Sequence, residues 1–98
     1  MTLGEKKTKF TKMIALLILY ADSIGYEIRF APEHCDHIKN SLHYSGLAKD
    51  FDLFKDGEYL TRTVDHEQLG AFWESLGGDW GGKFGDGNHY SLEHAGMK

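Results

Sequence analysis

Two short stretches of the sequence carry side chains that could together hold and use a metal ion. His43 and Asp50 lie in the first stretch, and Asp86 and His89 lie in the second. Two imidazoles and one carboxylate leave Zn²⁺ a fourth coordination position for water, and a further carboxylate can move protons. This is the inventory of a hydrolytic zinc site, in which the metal lowers the pKa of water to about 7 and polarises the bond to be cut.

The spacing of these residues sets conditions on the backbone. His43 and Asp50 are seven positions apart, an odd separation that would place them on opposite faces of an unbroken strand. Both can reach one metal if the chain bends at Gly46, because glycine adopts backbone angles that other residues avoid. His89 must then arrive from the C-terminal segment. Asp86 projects into the same cleft if the glycines on either side of it turn sharply.

Each of these residues also has an ordinary structural interpretation. His43 could be a surface or hydrogen-bonded histidine, Asp50 a solvent-facing strand residue, and Asp86 a turn former between two glycines. Residue types and spacing alone leave these alternatives open. A core position explains three nearby aromatic residues more simply than contact with a substrate does: Trp73, Trp80 and Phe84.

The stretch from Ser41 to His94 resembles the M15 peptidases, which include D-Ala-D-Ala carboxypeptidases and the L-alanyl-D-glutamate endopeptidases of phage endolysins. The first zinc motif of that family is matched by Ser41-Leu42-His43 with Gly46, Ala48 and Asp50. The second is matched by Asp86-Gly87-Asn88-His89. A further resemblance, to the phage-type branch of the family, lies just before the second motif in Trp80-Gly81-Gly82 with Phe84.

The resemblance implies one Zn²⁺ held by His43, Asp50 and His89, with Asp86 as the catalytic base. It also implies a small α+β fold of the kind found in DD-peptidases and in the zinc domain of Hedgehog proteins. In that fold an antiparallel sheet has flanking helices.

The resemblance further implies residues that contact the substrate. Members of the family carry an arginine upstream of the first motif that helps to hold the substrate. Arg29 is the only arginine upstream of that motif in this chain, so we predict this role for it, together with Ser41 and Trp80.

The predicted function is hydrolysis of the L-Ala–D-Glu amide in peptidoglycan stem peptides, by a phage or prophage lysis enzyme. Two alternatives remain: a carboxypeptidase that trims terminal D-Ala, and a metal-stabilised module that binds the cell wall without cutting it. The cluster Glu33–His37 offers four possible ligands to a competing metal, but its spacing fits no closed structural zinc site, and we expect a polar loop there.

Hydrophobic periodicity predicts the elements that position these residues. We expect a helix over residues 5–23, capped by Thr2, which has the capping-box spacing to Glu5. A second helix is expected over 66–76, capped by Asp65 and with His66 exposed at its start. Strands are predicted over the following ranges, with a turn at 55–58: 26–30, 47–54, 59–63 and 89–92.

Length and composition bound the remaining expectations. The 98 residues predict one domain spanning 1–98, and a net charge of -4 argues against nucleic acid as a partner. Cys35 is the only cysteine, so no internal disulfide can form. The apolar run 13–21 is too short to span a bilayer and no cleavage site follows it, so we expect neither membrane insertion nor a secretory signal. We therefore expect a monomer in the cytoplasm of a bacterial host, released to the cell wall at lysis.

Overall fold

The computed structural model describes residues 1–32 and 46–94, and its first element is helix α1, Leu3–Ser23. The predicted capping box is present. The Glu5 N–H donates to Thr2 Oγ1 at 3.1 Å, and the Thr2 N–H donates to Glu5 Oε1 at 2.9 Å. These bonds satisfy donors that have no partner within the first turn of a helix. The helix buries the apolar residues that recur along one of its faces: Phe10, Met13, Ile14, Leu17 and Ala21.

Three strands follow α1 among the described residues. They are β1 (Glu27–Phe30), β2 (Ala48–Lys55) and β3 (Glu58–Leu60). The turn between β2 and β3 has positive φ angles at Asp56 (52°) and Gly57 (80°), as a two-residue hairpin of type I′ requires. The return strand ends at Leu60, three residues before the predicted end, because a 3₁₀ helix begins at Thr63.

The C-terminal part alternates short helices and strands. A 3₁₀ helix (Thr63–His66) leads into α2 (Glu67–Ser75), followed by β4 (Asp79–Trp80), a second 3₁₀ helix (Gly81–Phe84) and β5 (His89–Ser91). The prediction that Asp65 caps α2 is wrong. The Asp65 carboxylate accepts the Arg62 N–H at 2.9 Å. It therefore caps the start of the 3₁₀ helix that precedes α2, and not α2 itself.

The described strands form one antiparallel sheet in the order β1-β2-β5-β4, with β3 also paired to β2. β1 occupies one edge of β2 along residues 51–54. Two strands lie one after the other along the opposite edge of β2: β5 pairs with residues 48–50, and β3 pairs with residues 53–55. The gap between the end of β3 and the start of β5 therefore opens beside the middle of β2.

One face of the sheet packs against the two helices. Tyr90 on β5 lies at the centre, with its ring 5.7 Å from that of Phe51 and 5.8 Å from that of Trp73, both edge-on. The ring centres of Phe10 on α1 and Trp73 on α2 lie 5.6 Å apart, so both helices belong to the same core. The predicted α+β class, an antiparallel sheet with flanking helices, is confirmed. No helix in residues 1–32 and 46–94 has the length and apolar character needed to cross a membrane.

Candidate metal site and the neighbouring cleft

Asp50 and His89 face each other across β2 and β5. They are register partners in the antiparallel pair, which puts both side chains on the same face of the sheet. His89 Nδ1 lies 3.1 Å from Asp50 Oδ1. The His89 side chain is 17% exposed and that of Asp50 is 32% exposed, so solvent reaches the pair from one side. This face is the one turned away from Tyr90, because neighbouring side chains on a strand point to opposite faces.

The Asp50–His89 distance is compatible with two ligands of one zinc ion. Two tetrahedral ligands, each about 2.0–2.1 Å from zinc, lie roughly 3.3 Å apart. The same separation also suits an imidazole–carboxylate hydrogen bond. One imidazole and one carboxylate are donors that zinc accepts readily, so this pair fits the metal in chemistry and in spacing.

The third predicted ligand, His43, and the predicted substrate residue Ser41 lie outside the described residues, as does the cluster 33–37. Within residues 1–32 and 46–94, no group of three His, Cys, Asp or Glu side chains could hold a metal. Gly46, where the sequence requires a bend, has a φ of 75°, in the left-handed region that favours glycine. The chain therefore turns immediately before it enters β2.

Asp86 is brought close to His89 by a tight turn. The His89 N–H donates to the Asp86 carbonyl at 3.1 Å, and the Asp86 N–H donates to the Gly81 carbonyl at 3.0 Å. A Cβ placed on Gly81 would lie 2.4 Å from the Asp86 carbonyl oxygen and 2.9 Å from His89 Cβ. Only a residue without a side chain can lie beneath this turn. Asp86 itself is exposed, and its catalytic role remains a prediction.

Trp80 supports this turn from below. Its indole Nε1–H donates to the Gly87 carbonyl at 2.7 Å. The ring lies against Gly70 and Gly82, where an added Cβ would approach ring atoms to 2.1 Å and 2.3 Å. These contacts give Trp80 a structural role in holding the turn, and its half-buried ring packs against the hydrophobic core. Contact between Trp80 and a substrate remains a prediction. Phe84 is 80% exposed, so a core position is wrong for that residue.

Arg29 lies on the same face of the sheet as Asp50 and His89. It is the register partner of Asp52 on β2, two positions along from Asp50. Its guanidinium carbon lies 4.1 Å from the centre of the Phe54 ring, towards the hairpin and not towards His89. Arg29 thus shares a face of the sheet with Asp50 and His89, and its contact with a substrate remains a prediction.

A cleft of about 190 Å³ opens beside Asp86, in the gap between β3 and β5. Its walls come from the chain after β3 and from the turn before β5, and its lining includes Arg62, Thr63, His66 and Asp86. Thr63 holds the two walls together, because its hydroxyl donates to the Gly85 carbonyl at 3.1 Å and accepts the Gly87 N–H at 3.3 Å. The cleft is therefore part of the same structure that positions Asp86.

The sequence-based prediction that His66 is exposed is wrong. His66 is 3% exposed, and its Nδ1 lies 2.8 Å from the Tyr90 hydroxyl. Burial lowers the pKa of His66, although the carboxylates of Asp65, Asp52 and Asp86 oppose this shift. Burial also raises the pKa of Tyr90 strongly. Both partners of this hydrogen bond are therefore neutral at pH 7.

A signal for the burial of His66 was present in the sequence. His66 lies three residues before Leu69 and seven before Trp73, the spacing that continues the apolar stripe of α2 by one turn. The polar neighbours Asp65 and Glu67 obscure it. Arg62 and Thr63 gave no comparable signal, because their places in the cleft depend on contacts with the turn at residues 85–87.

The chain matches no protein-family model, and a search of curated proteins finds no match either. The resemblance to M15 peptidases therefore depends on the two motifs, and membership of that family remains a prediction.

Proposed function

We propose that this protein is a zinc-dependent peptidoglycan endopeptidase that hydrolyses the L-Ala–D-Glu amide of cell-wall stem peptides. The observation that carries the proposal is the pairing of Asp50 with His89 at 3.1 Å on the open face of the sheet. Asp50 and His89 are 39 residues apart, yet β2 and β5 bring these two candidate ligands, one from each motif, into contact.

The residues of the chain would divide the chemistry between them. His43, Asp50 and His89 would hold the zinc ion, which when bound lowers the pKa of water to about 7 and polarises the scissile carbonyl. Asp86 would accept the proton of the attacking water and pass it to the nitrogen of the leaving amine. The turn that links the Asp86 carbonyl to the His89 N–H joins the backbones of these two residues, which supports a shared role for them.

The proposed setting follows from the substrate. We propose that the protein acts as a monomer, accumulates in the cytoplasm of a bacterial host and reaches the cell wall at lysis. The face that carries Asp50 and His89 is open to solvent on one side, which a polymeric substrate requires.

The decisive experiment separates metal binding from proton transfer. We expect Asp86→Asn to retain one zinc per chain, measured by elemental analysis, and to lose roughly 10²- to 10⁴-fold in the rate of lysis of chloroform-treated Gram-negative cells. Asp22→Asn is the matched control, because Asp22 is an exposed carboxylate at the far end of α1. Normal lysis by Asp86→Asn would refute the assignment of the base.

Two outcomes would favour the alternatives. Mass spectrometry of digested stem peptides that shows release of terminal D-Ala, with the L-Ala–D-Glu bond intact, would indicate a carboxypeptidase. Stoichiometric zinc with no cleavage of any stem peptide would indicate a module that binds the cell wall without cutting it.

A further inference from the structure

Strand β1 lies at one end of the sheet, and its outer edge is unpaired within the part of the chain that the structure describes. The Ala31 N–H donates to the Asp50 carbonyl at 2.9 Å, so residue 31 bonds towards β2. Hydrogen bonding alternates along an antiparallel strand, so the N–H and C=O groups of Ile28 and Phe30 point away from β2. Among the described residues these outward groups have no hydrogen-bond partner. An edge of this kind is a template for a further strand.

The side chains along β1 form a pattern that is complementary to itself. Ile28 lies in the middle, Glu27 and Arg29 flank it, and the aromatic residues Tyr26 and Phe30 lie outside them. If two copies of the strand pair antiparallel about Ile28, Glu27 of each copy lies opposite Arg29 of the other. Tyr26 then lies opposite Phe30. In a two-fold interface every contact occurs twice, so one charge pair and one aromatic pair each count double.

The charges select this register over its neighbours. A two-fold axis through residue 27 would place two glutamates opposite each other, and an axis through residue 29 would place two arginines opposite each other. Like charges directly opposite are destabilising. The axis through Ile28 instead lets the outward N–H and C=O groups of Ile28 bond to the same groups of the second copy. Glu27 and Arg29 are exposed, and neither belongs to an ion pair in the described part of the chain, so both charges are available.

The surface beside β1 adds apolar area that a second copy would cover. Phe30 is 58% exposed, although its ring lies 5.2 Å from that of Phe51 in the core. A groove of about 350 Å³ lies between β1 and the end of α1, and Ile18 on its wall is 39% exposed. Phe30 and the helices lie on the same face of the sheet. Pairing about Ile28 would therefore place Ile18 and Phe30 of both copies on one side of a continuous sheet.

We propose that the outer edge of β1 is a self-association site, at which a second copy of this chain pairs antiparallel about Ile28 and extends the sheet. The outward backbone groups of Ile28 and Phe30 supply the hydrogen bonds, and the Glu27–Arg29 pairs fix the register. So short a strand buries less than the about 800 Å² per partner of a stable complex, so the dimer forms reversibly and dissociates on dilution. It is compatible with a monomer as the acting form, and it does not rest on the proposed activity.

The test measures the mass of the full-length protein by sedimentation equilibrium, from micromolar to millimolar concentration. We expect the wild type to form a reversible dimer. Glu27→Arg and Arg29→Glu should each raise its Kd roughly 10- to 100-fold, because each variant places like charges opposite each other at two points. An equimolar mixture of the two variants should dimerise again, since each supplies the charge that the other lacks. Glu58→Arg is the control for the same charge change outside β1, because Glu58 is exposed on β3.

A second measurement tests the register directly. Hydrogen exchange at the Ile28 and Phe30 amides should slow as the concentration rises, whereas the Arg29 amide faces β2 and should be protected at every concentration. A wild type that stays monomeric throughout would overturn the inference, and the two charges would then act to keep other strands from the edge. A dimer that neither single variant weakens, or that the mixture does not restore, would also overturn it, because the second copy would then bind elsewhere.

Discussion

Two histidines contact neighbouring residues on opposite faces of the sheet at strand β5, and their surroundings differ. On the open face, His89 lies 3.1 Å from the carboxylate of Asp50 and remains partly exposed. On the core face, the next residue, Tyr90, receives the buried imidazole of His66 at 2.8 Å. A carboxylate and access to solvent suit a metal ligand, whereas a neutral hydroxyl and full burial suit a structural imidazole.

The largest expected effect separates the two histidines by zinc content. We expect His89→Ala to reduce bound zinc from one per chain to nearly none and to abolish cleavage, because a tetrahedral site loses a protein ligand. His66→Gln removes an imidazole from the other face and should leave the zinc content unchanged. Elemental analysis after resupply of zinc measures both variants. Equal zinc in His89→Ala and the wild type would remove the basis for distinguishing the two faces.

The next effect concerns Gly81, which lies against the turn between Asp86 and His89. Gly81→Ala places a Cβ against the Asp86 carbonyl and His89 Cβ, and we expect a loss of about 1–3 kcal/mol in the free energy of unfolding because the turn must move. Gly4→Ala is the matched control, since its Cβ would meet only Thr2 Oγ1 at 3.9 Å. Urea denaturation measures both. A Gly81→Ala protein as stable as the wild type would show that the turn is not held as tightly as the contacts imply.

On the core face, Tyr90→Phe tests the hydrogen bond without changing the shape of the core. The variant leaves His66 Nδ1 buried without a donor, so we expect a loss of about 1–3 kcal/mol in the free energy of unfolding. Bound zinc should not change, because the tyrosine side chain points away from Asp50 and His89. A fall in zinc content similar to that of His89→Ala would mean that the two faces are not independent.

The smallest effect is a dependence of stability on pH. Burial lowers the pKa of His66 in the folded state, so between that pKa and the unfolded value of about 6.5 the unfolded chain binds more protons. The contribution of His66 to stability is therefore present above pH 6.5 and is lost as the pH falls through the folded pKa. We expect Tm to fall more between pH 7.5 and pH 5 in the wild type than in His66→Gln. Identical slopes would show that His66 is protonated equally in both states.

Local patterns in the sequence were sufficient to predict two features of the fold. The capping box at Thr2 and Glu5 and the hairpin at Asp56–Gly57 depend on neighbours within a few residues, and both are present as predicted. The prediction that Asp65 caps α2 was wrong because two helices begin within a few residues of each other. The structure places a 3₁₀ helix before α2, which moves the capping contact back to Arg62.

The sequence by itself determined the helical and strand periodicities, the turns and the inventory of possible metal ligands. Each of these follows from side-chain chemistry and from contacts between residues close together in the chain. Only the tertiary structure decided that Asp50 lies opposite His89, that His66 is buried against Tyr90, and that a cleft opens beside Asp86. The reason is that the register between β2 and β5, and the gap between β3 and β5, arise from pairing across long separations in sequence, where one residue of slip would move every side chain to the opposite face.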